Sequence, residues 1–122
     1  MFEFLKSNNN KDGDKELVRI DFEAKEQWSD LIELSQRQAV YIFKHSSRCG
    51  ISSMVLSRFE KQLKEREETY FHLHIQGSRS LSNWLAEELK IRHESPQLIV
   101  LKEAKVLAHD SHHALLDVIP KL

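Results

Sequence analysis

The hydrophobic and polar positions of the chain follow two different periods, and each change of period predicts a new element. Four short runs rich in β-branched and aromatic residues predict strands, at 17–20, 39–43, 70–75 and 97–101. Between these runs, apolar residues recur every three or four positions and predict helices, at about 22–38, 51–68 and 81–91. A hairpin partner at 105–108 and a last helix capped by Ser111 complete the order β-α-β-α-β-α-β-β-α.

This order predicts an α/β fold with a central mixed sheet of four to five strands flanked by about four helices. Strands that alternate with helices form parallel sheets covered on both faces, and the final strand pair adds an antiparallel edge. Asp21 is expected to cap the first helix, and Ile51 is expected to begin the buried stripe of the second. The polar residues near the N-terminus predict a flexible lead-in over 1–16, followed by one domain over 17–122.

Composition fits an ordinary globular domain and gives no sign of a nucleic-acid or membrane partner. The 122 residues are 40% hydrophobic and 30% charged, with a formal net charge of -1. No Lys/Arg stripe, membrane-length apolar run or secretory leader is visible, so we expect a cytoplasmic protein that binds neither nucleic acid nor membrane. Seven histidines are present without the spacing of a known metal motif, and no metal site is expected.

The single cysteine, Cys49, is the candidate for chemistry. It lies where the strand at 39–43 gives way to a helix, and the N–H groups and dipole of a helix N-terminus favour a thiolate. Its polar neighbours Ser46, Ser47 and Arg48 indicate an accessible position. The alternative is a buried structural cysteine, since free cysteine is among the most buried residue types.

Two motifs carry a resemblance to a known family. Cys49-Gly50-Ile51-Ser52 begins the second helix and Pro96 precedes the next-to-last strand, and this arrangement resembles the thioredoxin fold, in which the active motif is Cys-x-x-Cys. The wider phrase at 43–52, FKHSSRCGIS, and the residues at 109–113 most closely resemble the monothiol bacilliredoxins, the YtxJ-like proteins of the bacillithiol system. The chain departs from ordinary thioredoxins at Arg48, where they have tryptophan, and from some relatives at Gly50, where they have proline.

The resemblance implies a monothiol thiol–disulfide oxidoreductase that removes bacillithiol from protein mixed disulfides through Cys49. Bacillithiol would be a co-substrate, with no tightly bound cofactor, and the partners would be bacillithiolated client proteins and a low-molecular-weight thiol, with the protein a monomer. Ser52 replaces the second cysteine, so an external thiol must resolve the mixed disulfide. The residues expected to stabilise the thiolate are Ser52, Arg48, Gly50 and Ile51.

The residues expected to bind substrate are Ser95, Pro96 and His45. The resemblance implies a cis Pro96 facing the cysteine, with the backbone of Ser95 pairing with the bound thiol; the alternative is a trans proline that begins an edge strand. His45 either shuttles protons or simply ends its strand. Two other functions stay open: a monothiol glutaredoxin-like protein that uses glutathione or binds an iron–sulfur cluster, and a non-catalytic binding module on a thioredoxin scaffold.

Overall fold

A computed structural model describes residues 17–122, so the predicted lead-in at 1–16 lies outside the described residues. The strands are β1 (Val18–Asp21), β2 (Val40–His45), β3 (Thr69–His74), β4 (Gln97–Lys102) and β5 (Lys105–Ser111). The α-helices of this part of the chain are α1 (Trp28–Ser35), α2 (Gly50–Arg66) and α3 (Arg79–Leu89). Three short 3₁₀ helices accompany them, at Lys25–Gln27, His112–Asp117 and Ile119–Lys121.

The five strands form one mixed sheet in the order β1-β3-β2-β4-β5. Strand β3 runs parallel to both β1 and β2, whereas β4 runs antiparallel to β2 and to β5. Strand β2 is therefore central, and its first five residues are all buried. Since the cysteine loop follows β2 directly, a central and well-buried strand positions it. The predicted α/β fold class is confirmed.

Each face of the sheet carries its own apolar core. On one face, Ile42 of β2 and Phe71 of β3 pack with α1 and α3, and Trp28 and Trp84 meet edge to face with ring centroids 5.6 Å apart. On the other face, Phe43 and Tyr70 pack around Phe59 of α2. Because side chains alternate along a strand, consecutive residues of β2 point into opposite cores.

The first helix begins later than its apolar spacing predicts. Asp21, expected to cap it, is instead the last residue of β1. A 3₁₀ turn follows, in which the Gln27 side chain accepts N–H groups from Glu23 at 2.7 Å and Ala24 at 2.9 Å and donates to the Asp21 carbonyl at 3.0 Å. The Gln27 amide therefore caps the 3₁₀ helix that leads into α1, and Asp21 caps neither helix.

The C-terminal segment is helical, as expected, but its helices are of the 3₁₀ type. Leu115 and Ile119 are buried against the α2 side of the sheet, which agrees with the predicted apolar face. Ser111 does not cap with its side chain, because its hydroxyl donates to the Glu94 carboxylate. No helix within residues 17–122 is long and apolar enough to cross a membrane.

Candidate active site

Cys49 is the N-cap residue of α2. Its backbone is extended, with φ -115° and ψ 114°, and its carbonyl accepts the N–H groups of Ser52 at 3.0 Å and Ser53 at 3.3 Å. The side chain is partly exposed, so the alternative of a fully buried structural cysteine does not describe it. A thiol in this position lies at the positive end of a 17-residue helix, where anions are stabilised.

The residues beside Cys49 present an open and partly apolar surface. Arg48 and Gly50 are exposed, and a Cβ added at Gly50 would meet no atom within 4 Å. Ile51 and Met54 are 44% and 41% exposed. Ile51 therefore does not begin the buried stripe, as its spacing predicts; the stripe starts at Val55, one turn later. Ile51 lies instead on the surface next to the thiol.

Ser52 lies beneath Cys49 and is fully buried. Its hydroxyl oxygen accepts the Ser46 backbone N–H at 3.1 Å and lies 2.8 Å from His45 Nδ1. Within residues 17–122, no hydrogen bond joins Ser52 to the Cys49 sulfur. The structure thus connects Ser52 to the end of β2 and to the start of the loop.

Gln76, in the loop after β3, holds the residues that precede Cys49. Its Nε2 donates to Ser46 Oγ at 2.9 Å, and its Oε1 accepts the Ser47 backbone N–H at 2.9 Å. His74 Nε2 lies 3.1 Å from Ser47 Oγ. Sequence reasoning missed Gln76, because an exposed glutamine 27 positions beyond Cys49 gives no local signal. Only the parallel pairing of β2 and β3 brings the two loops together.

Ser95 and Pro96 lie at the same end of the sheet as Cys49. The peptide bond between them is cis, as the resemblance implies. Pro96 immediately precedes β4, whose first residue, Gln97, pairs with Lys44 near the end of β2. Because β2 and β4 are antiparallel, the start of β4 lies beside the point where the cysteine loop leaves β2.

Lys44 is a buried cation below this edge, on the face covered by α1 and α3. Its side chain is 0% exposed, and Nζ lies 3.4 Å from the Ser82 carbonyl oxygen and 3.4 Å from His93 Nδ1. Burial, with a smaller contribution from the charge of Arg79, lowers the pKa of Lys44 to about 8. In the sequence, Lys44 is the charged residue that ends an apolar run, so neither its burial nor its contact with His93 was predicted.

A cavity of about 420 Å³ opens on the opposite face, between β1 and α2. Arg19, Asp21, His45, His72 and His74 contribute to its wall. Burial is the main cause that lowers the pKa of His72 to about 4 and lowers that of His45. Within residues 17–122, no group of three or more His, Cys, Asp or Glu side chains is arranged to hold a metal ion.

Comparisons with known proteins agree with this geometry. Residues 20–117 match the family model described as monothiol bacilliredoxin BrxC. A solved structure described as a thioredoxin-fold protein proposed to be an oxidoreductase is 28% identical, with a TM-score of 0.78 over 85% of this chain and 92% of that chain. Thioredoxin from Trypanosoma brucei brucei is 13% identical, with a TM-score of 0.67 over 93% of each chain.

A mutant thioredoxin from Halobacterium salinarum has a TM-score of 0.65 at 12% identity, covering 85% of this chain and 86% of its own, and shares the fold alone. The family match covers most of the described sheet together with the cysteine loop. With the oxidoreductase neighbour, it supports a thiol redox role. The chain belongs to the monothiol bacilliredoxin family and is a thiol oxidoreductase of thioredoxin-like fold.

Proposed function

We propose that this protein removes bacillithiol from protein mixed disulfides, with Cys49 as its nucleophile. One observation carries the proposal: a partly exposed cysteine caps α2, and the position one turn later holds Ser52 rather than a second thiol. A dithiol protein captures a substrate and expels it with its own second sulfur. A monothiol protein needs an external thiol, which favours exchange with a small thiol over reduction of protein disulfides.

In the first step, the Cys49 thiolate attacks the bacillithiol sulfur of the client mixed disulfide. The Cys49–bacillithiol disulfide forms while the client disulfide breaks, and the client leaves as a thiolate that takes a proton from water. A second bacillithiol thiolate then attacks the bound bacillithiol sulfur. Bacillithiol disulfide leaves and the Cys49 thiolate is restored. Overall, the client is released as a free thiol, and one free bacillithiol forms a disulfide with the bacillithiol that had been attached to the client.

The surrounding residues support both steps in this proposal. The N-terminus of α2, with Gly50 and Ile51 in its first turn, stabilises the thiolate as attacking and as leaving group. Arg48 adds an exposed positive charge, and the Ser95 backbone beside cis Pro96 aligns the bound thiol. His45 would act through Ser52, since its Nδ1 lies 2.8 Å from the Ser52 hydroxyl.

Intact-mass analysis tests the proposal. The protein is incubated with bacillithiol disulfide or with glutathione disulfide, and each adduct is then treated with its own free thiol. We expect a bacillithiol adduct on Cys49 that free bacillithiol reverses, and no adduct on Cys49→Ser. An adduct with glutathione alone would overturn the proposal in favour of a glutaredoxin-like protein, and no adduct with either disulfide would favour a binding module.

A second thiol at position 52 tests separately whether the lack of a second cysteine is what makes an external thiol necessary. In Ser52→Cys, the new thiolate should attack Cys49 of the bacillithiol adduct, form an internal disulfide and release bacillithiol without an external thiol. The matched control is Ser53→Cys, one position further along α2 and exposed, whose adduct should persist. Equal release from both variants would contradict the assumption that position 52 alone is aligned with Cys49.

A further inference from the structure

The hydroxyl of Ser52 has a single hydrogen, and the two partners of the hydroxyl oxygen limit where that hydrogen can point. The Ser46 N–H occupies one lone pair of Ser52 Oγ at 3.1 Å, so this contact does not use the hydroxyl hydrogen. The other contact of the hydroxyl is His45 Nδ1 at 2.8 Å. When Nδ1 carries no proton, Ser52 must be the donor in this contact, and its hydrogen points away from Cys49.

The surroundings of His45 favour the neutral ring. From β3, the rings of His72 and His74 lie 5.5 and 6.2 Å from the His45 ring, measured between centroids. The charged groups around it are Arg19 and Glu60, which act on its charge, and Asp21 and Glu23, which line the same cavity. Burial, then His74 and Arg19, lower the pKa of His45, and Glu60 opposes them with a smaller effect. This lowered pKa favours the uncharged ring at neutral pH, and Nδ1 accepts when the ring proton is on Nε2.

We propose that His45 is a positioning residue that holds the Ser52 hydroxyl hydrogen away from Cys49. The proposal rests on the thiol chemistry proposed for Cys49 and adds a second group that controls it. While His45 is neutral with its proton on Nε2, Ser52 gives no hydrogen bond to the thiolate, which the helix N-terminus and Arg48 stabilise. When His45 takes up a proton on Nδ1, its N–H donates to Ser52 Oγ, and the hydroxyl hydrogen is released. Ser52 follows Cys49 by three residues, so this hydrogen can then reach the sulfur.

Protonation of His45 would have a defined effect on the reactivity of the Cys49 thiolate. A thiolate that accepts a hydrogen bond is a better leaving group and a weaker nucleophile. Protonation of His45 therefore favours release of Cys49 from a mixed disulfide over attack by Cys49. A ring that merely ended β2 would have no such effect on the thiol.

Alkylation of Cys49 by iodoacetamide across pH tests the proposal without bacillithiol. The thiolate forms a carbon–sulfur bond and displaces iodide, so no oxidant or second thiol is needed. We expect His45→Leu, which removes the acceptor, to lower the pH of half-maximal alkylation by roughly one unit. His45→Asn should retain the wild-type profile, since Asn Oδ1 can accept at the position of Nδ1. In a Ser52→Ala background, His45→Leu should produce no shift.

The same shift in both backgrounds, or no shift in either, would overturn the proposal, because it would mean that His45 acts on packing or not at all. His45→Phe preserves the ring contacts with His72 and His74 and replaces His45→Leu if that variant does not fold. A further arm needs no change at His45: Ser52→Ala alone should leave the wild-type profile unchanged above pH 7, and a shift there would refute the inference. If alkylation shifts in the variants as expected but no bacillithiol adduct forms, the proposed function is refuted and the inference about His45 stands.

Discussion

Replacing Lys44 with methionine should stabilise the protein at neutral pH. Lys44 is 0% exposed, and its Nζ has two contacts at 3.4 Å, with the Ser82 carbonyl and with His93 Nδ1. Neither partner carries a negative charge at neutral pH, so the folded state holds an ammonium group without a carboxylate. Methionine keeps an unbranched apolar side chain of similar length and removes the charge.

The magnitude follows from the lowered pKa of Lys44, about 8 instead of 10.5. At about 1.4 kcal/mol per pH unit, the charge costs the folded state roughly 3 kcal/mol below pH 8. Two long hydrogen bonds are lost in Lys44→Met, worth about 0.5 kcal/mol each, so we expect a net gain of about 2 kcal/mol at pH 7. Between about pH 8 and 10.5 the unfolded state binds more protons than the folded state, so the stability of wild type rises with pH there and the advantage of the variant shrinks.

Urea unfolding of both proteins from pH 6 to 10.5 measures this directly. The other titratable groups are present in both proteins. Because burial and then the charge of Lys44 lower the pKa of His93, the change in the stability difference between pH 8 and 10.5 is the part that isolates Lys44. The matched control is Lys105→Met, an exposed lysine of β5, which should change stability by less than about 0.5 kcal/mol at every pH. A Lys44→Met variant that is less stable than wild type at pH 7, or a difference that stays constant from pH 8 to 10.5, would refute the reasoning.

Three further predictions concern stability away from the thiol. Ser35→Ala removes the buried hydroxyl that accepts the Ala104 N–H at 2.9 Å. The Ala104 N–H is then unpaired, and the free energy of unfolding in urea should fall by about 1–3 kcal/mol. A variant as stable as wild type would mean that another acceptor replaces the hydroxyl. Ala104→Gly should raise the free energy of unfolding by about 1 kcal/mol in thermal unfolding, because Ala104 has φ 64° in the hairpin turn, where glycine is unstrained. A less stable variant would show that the backbone at Ala104 is not strained. The pKa of His72 is lowered to about 4, so the unfolded state binds its proton first as pH falls below about 6.5, and stability drops toward pH 4. His72→Leu should remove up to roughly 3 kcal/mol of that loss of stability. If urea titrations show that wild type and His72→Leu lose the same stability between pH 6.5 and 4, this prediction is wrong.

The fold was largely predictable because its signals are local. Strands buried on both faces appear as continuous apolar runs, and helices show their apolar stripe. The errors occur at the ends of elements, where particular side-chain hydrogen bonds override the expected pattern. The Gln27 side chain caps the 3₁₀ helix that precedes α1, where Asp21 was expected to cap, and the Ser111 hydroxyl pairs with Glu94 rather than with the following helix. Ile51 matches the helical period but lies at the helix start, where α2 has not yet reached the core.

The candidate site divides in the same way. Cys49, Ser52 and Pro96 could be singled out from the sequence, because a strand–helix junction and the family resemblance point to them, but the cis bond before Pro96 is seen only in the structure. Gln76 and the histidines of β3 could not, because only the register of β2 with β3 brings them under the cysteine loop. Such contacts depend on sheet topology, which a linear pattern does not contain.

Strand alternation explains why the last two residues of β2 have separate roles. Lys44 and His45 are adjacent in the chain, but successive side chains of a strand point to opposite faces. Lys44 therefore contacts His93, at the start of the segment that leads to Ser95 and Pro96, whereas His45 contacts Ser52 beneath the thiol. Lys44 and His45 thus connect the end of β2 to the segment before Pro96 on one face and to Ser52 on the other. A one-residue shift in the β2 register would exchange the two side chains and disrupt both contacts, so pairing of β2 with β3 and β4 is a condition for the site as well as for the fold.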